Sequence, residues 1–322
     1  MTTRLILDVD TGTDDAVAIM CAALHPGLEL VGVGTVNGNV PLPNTTENTL
    51  RVLDHIGVDV PVHRGAALPL ERDCFPDGVT RRKASDWHGE YLNLPPATST
   101  VASDNAAEFL VETYMGPLGP DTVLVPTGPL TNVAQAIRLE PRIVDRIPRI
   151  VLMGGGHRRT NRTAAAESNL WMDPEAARVV LRSGVRDITV VPLDATHEAL
   201  VTDVDCDKLD QVGTPAATAA VAFIRQRIHA HDTHAPLDLP HSAPVHDALC
   251  VAALIHPSVL EHVGHYPTDI ETTGELTVGQ LVVDTRVPAR SPATAHVALG
   301  ANRELFVAFL LEALAFPARS QR

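Results

Sequence analysis

The sequence predicts an α/β fold: a mostly parallel central sheet flanked by helices, with additional helices and antiparallel strands toward the C-terminus. Three observations predict it. Short apolar, β-rich runs alternate with segments of helical periodicity, the mark of βαβ units. Strand after strand ends in a polar or glycine-rich cluster, from Asp8-Val-Asp10-Thr-Gly-Thr-Asp14-Asp15 through Asn37-Gly-Asn39 and Thr127-Gly-Pro-Leu-Thr-Asn132 to Gly154-Gly-Gly156. The alternation then gives way, after about two thirds of the chain, to longer helices and an alternating strand pattern. Ligands of open parallel sheets bind at the carboxyl ends of the strands, so the clusters are expected to converge on one crevice.

Taken in order, the apolar runs Leu5–Val9, Leu30–Val36, Thr122–Pro126, Arg149–Met153 and Ile188–Leu193 read as strands. Between them Asp14–Leu24, Thr45–Ile56, Asn105–Met115, Asn132–Leu139 and Pro174–Ser183 read as helices. Ala216–His229 and Val245–Ile255 follow as helices, Glu275–Arg286 alternates like antiparallel strand material, and Asn302–Ala315 closes the chain as an amphipathic helix. Neither an internal repeat nor a low-complexity linker interrupts the chain, so residues 1–322 are expected to form one domain.

The composition narrows the function. A chain of 322 residues, 45% hydrophobic, can bury a substantial core. Its formal charge of −14 argues against a nucleic-acid backbone as partner. The only lysines are Lys83 and Lys208, which leaves little for a lysine-based phosphate cradle. No apolar stretch is long enough to span a bilayer, and no apolar leader precedes Asp8. Cys21, Cys74, Cys206 and Cys250 lack metal-type or redox-type spacing, which suits a reduced, cytoplasmic setting.

The four aspartates at the first strand end pose an electrostatic problem. Asp8 and Asp10, two apart on a strand, are expected to share a face, with Asp14 and Asp15 in the first helical turn. Two carboxylates about 4 Å apart repel by roughly 4 kcal/mol at a surface-like dielectric. A helix N-terminus returns only about 0.3–1 kcal/mol per charge. Helix capping accounts for Asp14 but for neither Asp8 nor Asp10. A bound cation is therefore expected, and all-oxygen donors favour a hard one, Ca²⁺ or Mg²⁺.

Together the blocks Asp8–Ala16, Gly38-Asn39, Val125–Asn132, Ile150–Gly156, Glu167-Ser-Asn169 with Asp173-Pro-Glu-Ala-Ala177, and Pro244-Val-His246-Asp247-Ala248 resemble the inosine–uridine-preferring nucleoside hydrolase family over most of the chain. The resemblance implies the Rossmann-like fold of that family and a Ca²⁺ enzyme that hydrolyses the N-glycosidic bond of ribonucleosides to ribose and free base. It implies Asp10, Asp15 and Asp247 as carboxylate ligands, with the backbone carbonyl of Thr127 as a further one. Asp14 and Asn39 match residues that bind the ribose hydroxyls, and Met153, Asn161, Glu167 and Asn169 match those lining the rest of the sugar pocket. His246 matches a histidine near the leaving base. The expected partner is a small ribonucleoside, with neither nucleic acid nor membrane, and the expected assembly is a homodimer or homotetramer serving purine or pyrimidine salvage.

The chemistry is consistent from the residues upward. Breaking a glycosidic bond builds oxocarbenium character on the sugar and needs water at the anomeric carbon. Ca²⁺ held by Asp10, Asp15 and Asp247 orients that water, and Asp10 is the expected base. Amides from Asn39, Asn161 and Asn169 grip hydroxyls without adding charge. An imidazole such as that of His246 can assist the leaving base near neutrality. Asp8 is left as support for the other carboxylates.

Several positions depart from the family pattern. Thr11 replaces a usual proline, and Ser168 stands where a bulky aromatic is common. His88-Gly-Glu90 lacks a glycine-rich continuation. Arg158, Arg159 and Arg162 make a basic loop, read as solvated, and His229–His241 is expected to form a polar, mobile lid over the base pocket, where base specificity would reside. Two other readings compete. A haloacid-dehalogenase-like Mg²⁺ phosphatase would use Asp8-Val-Asp10-Thr11 but needs a phosphate-binding lysine. A non-catalytic Ca²⁺-dependent ribose-binding protein would need no base or acid, whereas Asp10 and His246 are both present.

Overall fold

The computed structural model describes residues 2–79 and 87–317, so Lys83 lies outside the described residues. Its strands are β1 (Thr3–Val9), β2 (Leu28–Thr35), β3 (Val62–Arg64), β4 (Thr122–Pro126), β5 (Ile150–Met153) and β6 (Ile188–Val191), then β7 (Leu200–Thr202) and β8 (Ser242–Pro244). They continue with β9 (Leu260–Tyr266), β10 (Thr268–Ile270), β11 (Leu281–Val283) and β12 (Ala295–Ala301). The helices are α1 (Thr13–Leu24), α2 (Leu42–Ile56), α3 (Ala106–Met115), α4 (Thr131–Leu139), α5 (Ser168–Met172) and α6 (Pro174–Leu181). They continue with α7 (Leu193–Thr196), α8 (Asp203–Asp210), α9 (Pro215–His234), α10 (His246–Ile255) and α11 (Arg303–Ala315).

Eight strands form one sheet in the order β3-β2-β1-β4-β5-β6-β12-β9, parallel throughout except for the antiparallel edge strand β9. Alternation along β1 divides the core. Leu5, Leu7 and Val9, with Val33, Val125 and Val151, face the layer of α1, α9, α10 and α11. Ile6, Leu124, Ile150 and Leu152 face α3, α4 and α6. Helix α1 is buried at every position but Ala23, as an apolar helix packed against α10, α9, α2 and α11 must be. Its first turn therefore holds Asp14 and Asp15 out of bulk water.

Three expectations change. Of the alternating stretch Glu275–Arg286 only Leu281–Val283 is strand, paired with β10. Gly279 interrupts the pattern at φ +83, with Trp171 so near that a Cβ would lie 2.5 Å from its Cα. The real strand partners of the sheet's far side, β9 and β12, lie on either side of that stretch. Residues 229–234 are not a lid loop but the last turns of α9; only 235–241 leave the helix before β8. Asp8 and Asp10 do not act from one strand face, because β1 ends at Val9 and Asp10 has already left the ladder. Asp8 stays on the α3–α4 side, over Gly34 and beside Ala106.

Candidate active site

A cavity of about 580 Å³ opens at the carboxyl ends of the parallel strands. Asp10 and Asp14 reach it from the β1–α1 turn, Asn39 from beyond β2, Thr127 from β4 and Met153 from β5. Asn161 and Glu167 come from the segment leading into α5, Asn169 from α5 itself, and His246 and Asp247 from the first turn of α10. Of the predicted site residues only Asp15 is absent from the wall; it lies beneath it, fully buried.

The floor is acidic and rigidly tied. The backbone N–H of Asn39 donates to Asp10 Oδ2 at 2.7 Å, and the Asn39 amide donates to Asp15 Oδ2 at 3.3 Å. Asp15 also accepts from Gly12 N at 3.0 Å and from the Thr127 hydroxyl at 2.8 Å. Among the described residues, carboxylate oxygens of Asp14, Asp15 and Asp247 lie within 4.8 Å of one another. Asp10 stands beside this trio and is repelled by Asp15 and Asp14. Asp14, matched to the sugar from sequence, thus shares the carboxylate cluster. Burial, then repulsion from Asp15, pushes Asp10 and Asp247 well above the carboxylate range. Burial and then Asp14 bring Asp15 to about 7. Burial also raises Asp14, but Arg227, His88 and His246 outweigh it and hold its carboxyl below the usual value. Such buried, mutually repelling oxygens fit a hard cation. Among the described residues Asp14 Oδ1 has no hydrogen-bond partner.

Asp8 is not part of the wall. Its Oδ1 accepts from the Asn132 amide at 2.8 Å, and burial, partly offset by that bond, raises its pKa to about 7. Asn132 also donates to Thr35 O at 3.0 Å and accepts from Ala66 N at 2.8 Å. It fastens β1, β2 and the residues after β3 beneath the site.

At the other end of the cavity Glu167 is buried. Its carboxylate caps α5, accepting from Asn169 N at 2.8 Å, Leu170 N at 3.2 Å and, across the glycine loop, Gly155 N at 2.8 Å. Burial raises its pKa against these backbone donors. The Asn169 amide donates to Thr127 O at 2.6 Å and reaches Met153 O at 3.3 Å. Asn161 is exposed and accepts from Ser168 N at 3.0 Å. Arg162 pairs with Asp77 at 2.9 Å over the Trp171 ring, while Arg158 and Arg159 are exposed.

The remaining wall contains Trp87, His197 and Arg227, which the sequence did not single out, and His231 from the histidine-rich stretch that it did. His246 Nδ1 lies 2.7 Å from the Thr196 hydroxyl, which leaves Nε2 as its other nitrogen. Burial, then Arg227, holds His246 well below an ordinary histidine. Burial and Arg227 likewise bring His88 down to about 4. His88 Nδ1 lies 3.3 Å from Thr13 N and Nε2 3.2 Å from Arg227, so the departure after His88-Gly-Glu90 has not removed this histidine from the site. Nothing in the local spacing of His197 or Arg227 marks them; only the packing of α7 and α9 does.

Residues 5–308 match the family model described as inosine-uridine preferring nucleoside hydrolase. The chain is 39% identical over 328 residues to the inosine-uridine preferring nucleoside hydrolase of Leishmania major, covering 98% of each. It is 37% identical over 320 residues to a pyrimidine-specific ribonucleoside hydrolase of Shewanella oneidensis, covering 98% of this chain and 97% of the relative. Among solved structures, a purine-preferring ribonucleoside hydrolase from Gardnerella vaginalis superposes with a TM-score of 0.86 at 28% identity, covering 97% and 98%. A plant nucleoside hydrolase gives 0.88 at 25% identity, covering 98% and 99%.

Proposed function

The chain belongs to the inosine–uridine-preferring nucleoside hydrolase family, a group of ribonucleoside N-glycosyl hydrolases, and we propose that Asp10, Asp15 and Asp247 hold a Ca²⁺ ion there, with Asp10 as the base and His246 beside the leaving group. The observation that supports this reading is the convergence of Asp10, Asp14, Asp247 and Glu167 with three amides and His246 in one cavity, Asp15 lying buried beneath it beside Asp14 and Asp247. The carbonyl of Thr127 is the proposed backbone ligand, and Asp14 stands close enough to share the ion or a ribose hydroxyl. When bound, the cation offsets the clustered charge and orients the attacking water.

The protein's own groups do the rest. Asp10, its direction fixed by the Asn39 N–H, takes the proton of the water that attacks the anomeric carbon. Asn39, Asn161 and Asn169 bind hydroxyls, with Met153 against the sugar face and Glu167 near the far end of the ring. The acidic floor favours the oxocarbenium-like transition state. His246, its ring fixed by Thr196, hydrogen-bonds the departing base. The phosphatase reading finds no support, since Lys208 sits on α8 paired with Asp205 and Asp247 heads α10 within the carboxylate cluster. A cytoplasmic salvage enzyme that works as a homodimer or homotetramer completes the proposal. Among the described residues no helix is long and apolar enough to cross a membrane.

The test is free ribose from inosine, uridine, cytidine and adenosine, with calcium and with EDTA. Release that needs the cation is expected. No ribose from any of the four with calcium present would remove the proposal.

A further inference from the structure

We propose that Arg227 determines base specificity, donating to a carbonyl oxygen of the leaving base and stabilising the negative charge that develops on it. The inference rests on the hydrolase reading above and assigns a residue for which that reading has no role.

Arg227 projects from α9 into the cavity and is only 7% exposed. One guanidinium nitrogen lies 3.2 Å from His88 Nε2, and the group sits 5.6 Å from the centre of the Trp87 ring. Among the described residues its nearest carboxylate, Asp14, is 3.9 Å away, too long for a hydrogen bond, and its Nε has no hydrogen-bond partner. The other arginine on the wall, Arg162, is paired with Asp77. Around Arg227 stand His88, His197, His231 and His246. Among the described residues, the guanidinium is the one arginine or lysine side chain at the end of the cavity where His246 meets the base.

An arginine offers five donors and no acceptor, so a base group that meets it must accept. Hypoxanthine presents an oxygen at the position where adenine presents an amino group, and uracil does so where cytosine has one. As the bond from the anomeric carbon to the base nitrogen breaks, its electron pair enters the base and collects on that oxygen. Water supplies the new sugar hydroxyl, and its second proton goes to Asp10 and then to solvent. The base leaves as an anion paired with Arg227 and takes up a proton from solvent after release. The contact strengthens as charge develops, so it belongs mainly to the transition state.

The test compares two nearly isosteric pairs, inosine with adenosine and uridine with cytidine, on wild-type enzyme and on R227M, R227Q and R227K with calcium present. Wild type is expected to favour the oxo member of each pair. In R227M, kcat/KM for inosine and uridine should fall roughly 10- to 100-fold, mostly in kcat, and both oxo-to-amino ratios should fall about tenfold. R227K should keep part of the preference and R227Q less. Ratios that stay within about threefold of wild type in R227M would overturn the inference, and equal losses on all four substrates would do so by showing a structural role. No ribose from any substrate with wild-type enzyme would instead overturn the hydrolase reading and this inference with it.

Discussion

A glycine sets the direction of the proposed base. A Cβ on Gly38 would lie 1.9 Å from Asp10 Oδ2, so any side chain there must push the carboxylate aside. Gly38→Ala is expected to lower kcat on the order of 100-fold, the usual consequence of misplacing a reacting group by about 1 Å, while circular dichroism stays native. Unchanged kcat would mean that Asp10 does not act from this position. Asp10→Ala should reduce kcat by about 10³-fold or more. It should not lower the melting temperature of the calcium-free protein, because the carboxylate it removes is buried and repelled by Asp15. His246→Ala should slow nucleosides more than nitrophenyl riboside, whose leaving group needs little help; equal slowing would argue against its role. The crowding of Asp10 and Asp15 at one turn was legible in the sequence because clustered carboxylates are electrostatically costly, whereas Asp247 entered the proposed site only through the family resemblance. Arg227 and His197 carry no such signal, since a single arginine or histidine on a helix is ordinary until tertiary packing aims it inward.

The elements that present the site were legible in proportion to how local their cause is. The first strand, α1 and the glycine-rich strand ends follow from apolar runs and turn residues within a few positions. The edge of the sheet did not, because β12 reads as a strand only once β6 and β9 flank it, and the false signal at Glu275–Arg286 was broken by Gly279. Helix α2 shows how an element supports the site from outside. Asn48, 1% exposed, donates to Thr11 O at 3.0 Å and accepts from Leu92 N at 3.0 Å, joining the β1–α1 turn to the segment after His88. Asn48→Ala leaves both backbone groups unpaired and is expected to cost about 1–3 kcal/mol, measured by urea unfolding. On the same helix Glu47 accepts from Ala97 N and pairs with Arg51, and Asp54 accepts from Thr98 and Ser99. Burial raises both carboxyls, but these bonds prevail and hold them below their ordinary values of 4.5 and 3.8. A lowered folded pKa stabilises above the unfolded value, and that contribution disappears as pH falls through the folded one. Amide protection in residues 92–99, taken relative to the intrinsic exchange rate at each pH, should therefore fall below about pH 4 and level off above about pH 5, where both groups are ionised in either state. Protection that is flat across that range would show that the tether does not depend on these carboxylates.

At the scale of the molecule, the chain folds against its own charge. It carries 39 acidic and 25 basic residues, and it gathers Asp10, Asp14, Asp15, Asp247 and Glu167 around one cavity. Desolvation and mutual repulsion of these carboxylates oppose folding, and nothing in the unfolded chain does, because Asp10 and Asp247 are then far apart. A cation that needs both will bind the native state alone, so its binding energy appears directly as stability. At a hundredfold excess over Kd this is about 2.7 kcal/mol, which for a chain of this size raises Tm by a few degrees. Calcium should therefore raise Tm and EDTA should reverse it. Asp247→Asn should blunt the calcium response while raising the Tm of the calcium-free protein, because it removes one of the repelling charges without changing side-chain size. The two effects have opposite signs only if the carboxylate is a ligand. If Asp247 were simply a buried acid stabilised by its neighbours, its loss would lower Tm with or without the ion, and that outcome would separate a metal centre from a structural acidic cluster.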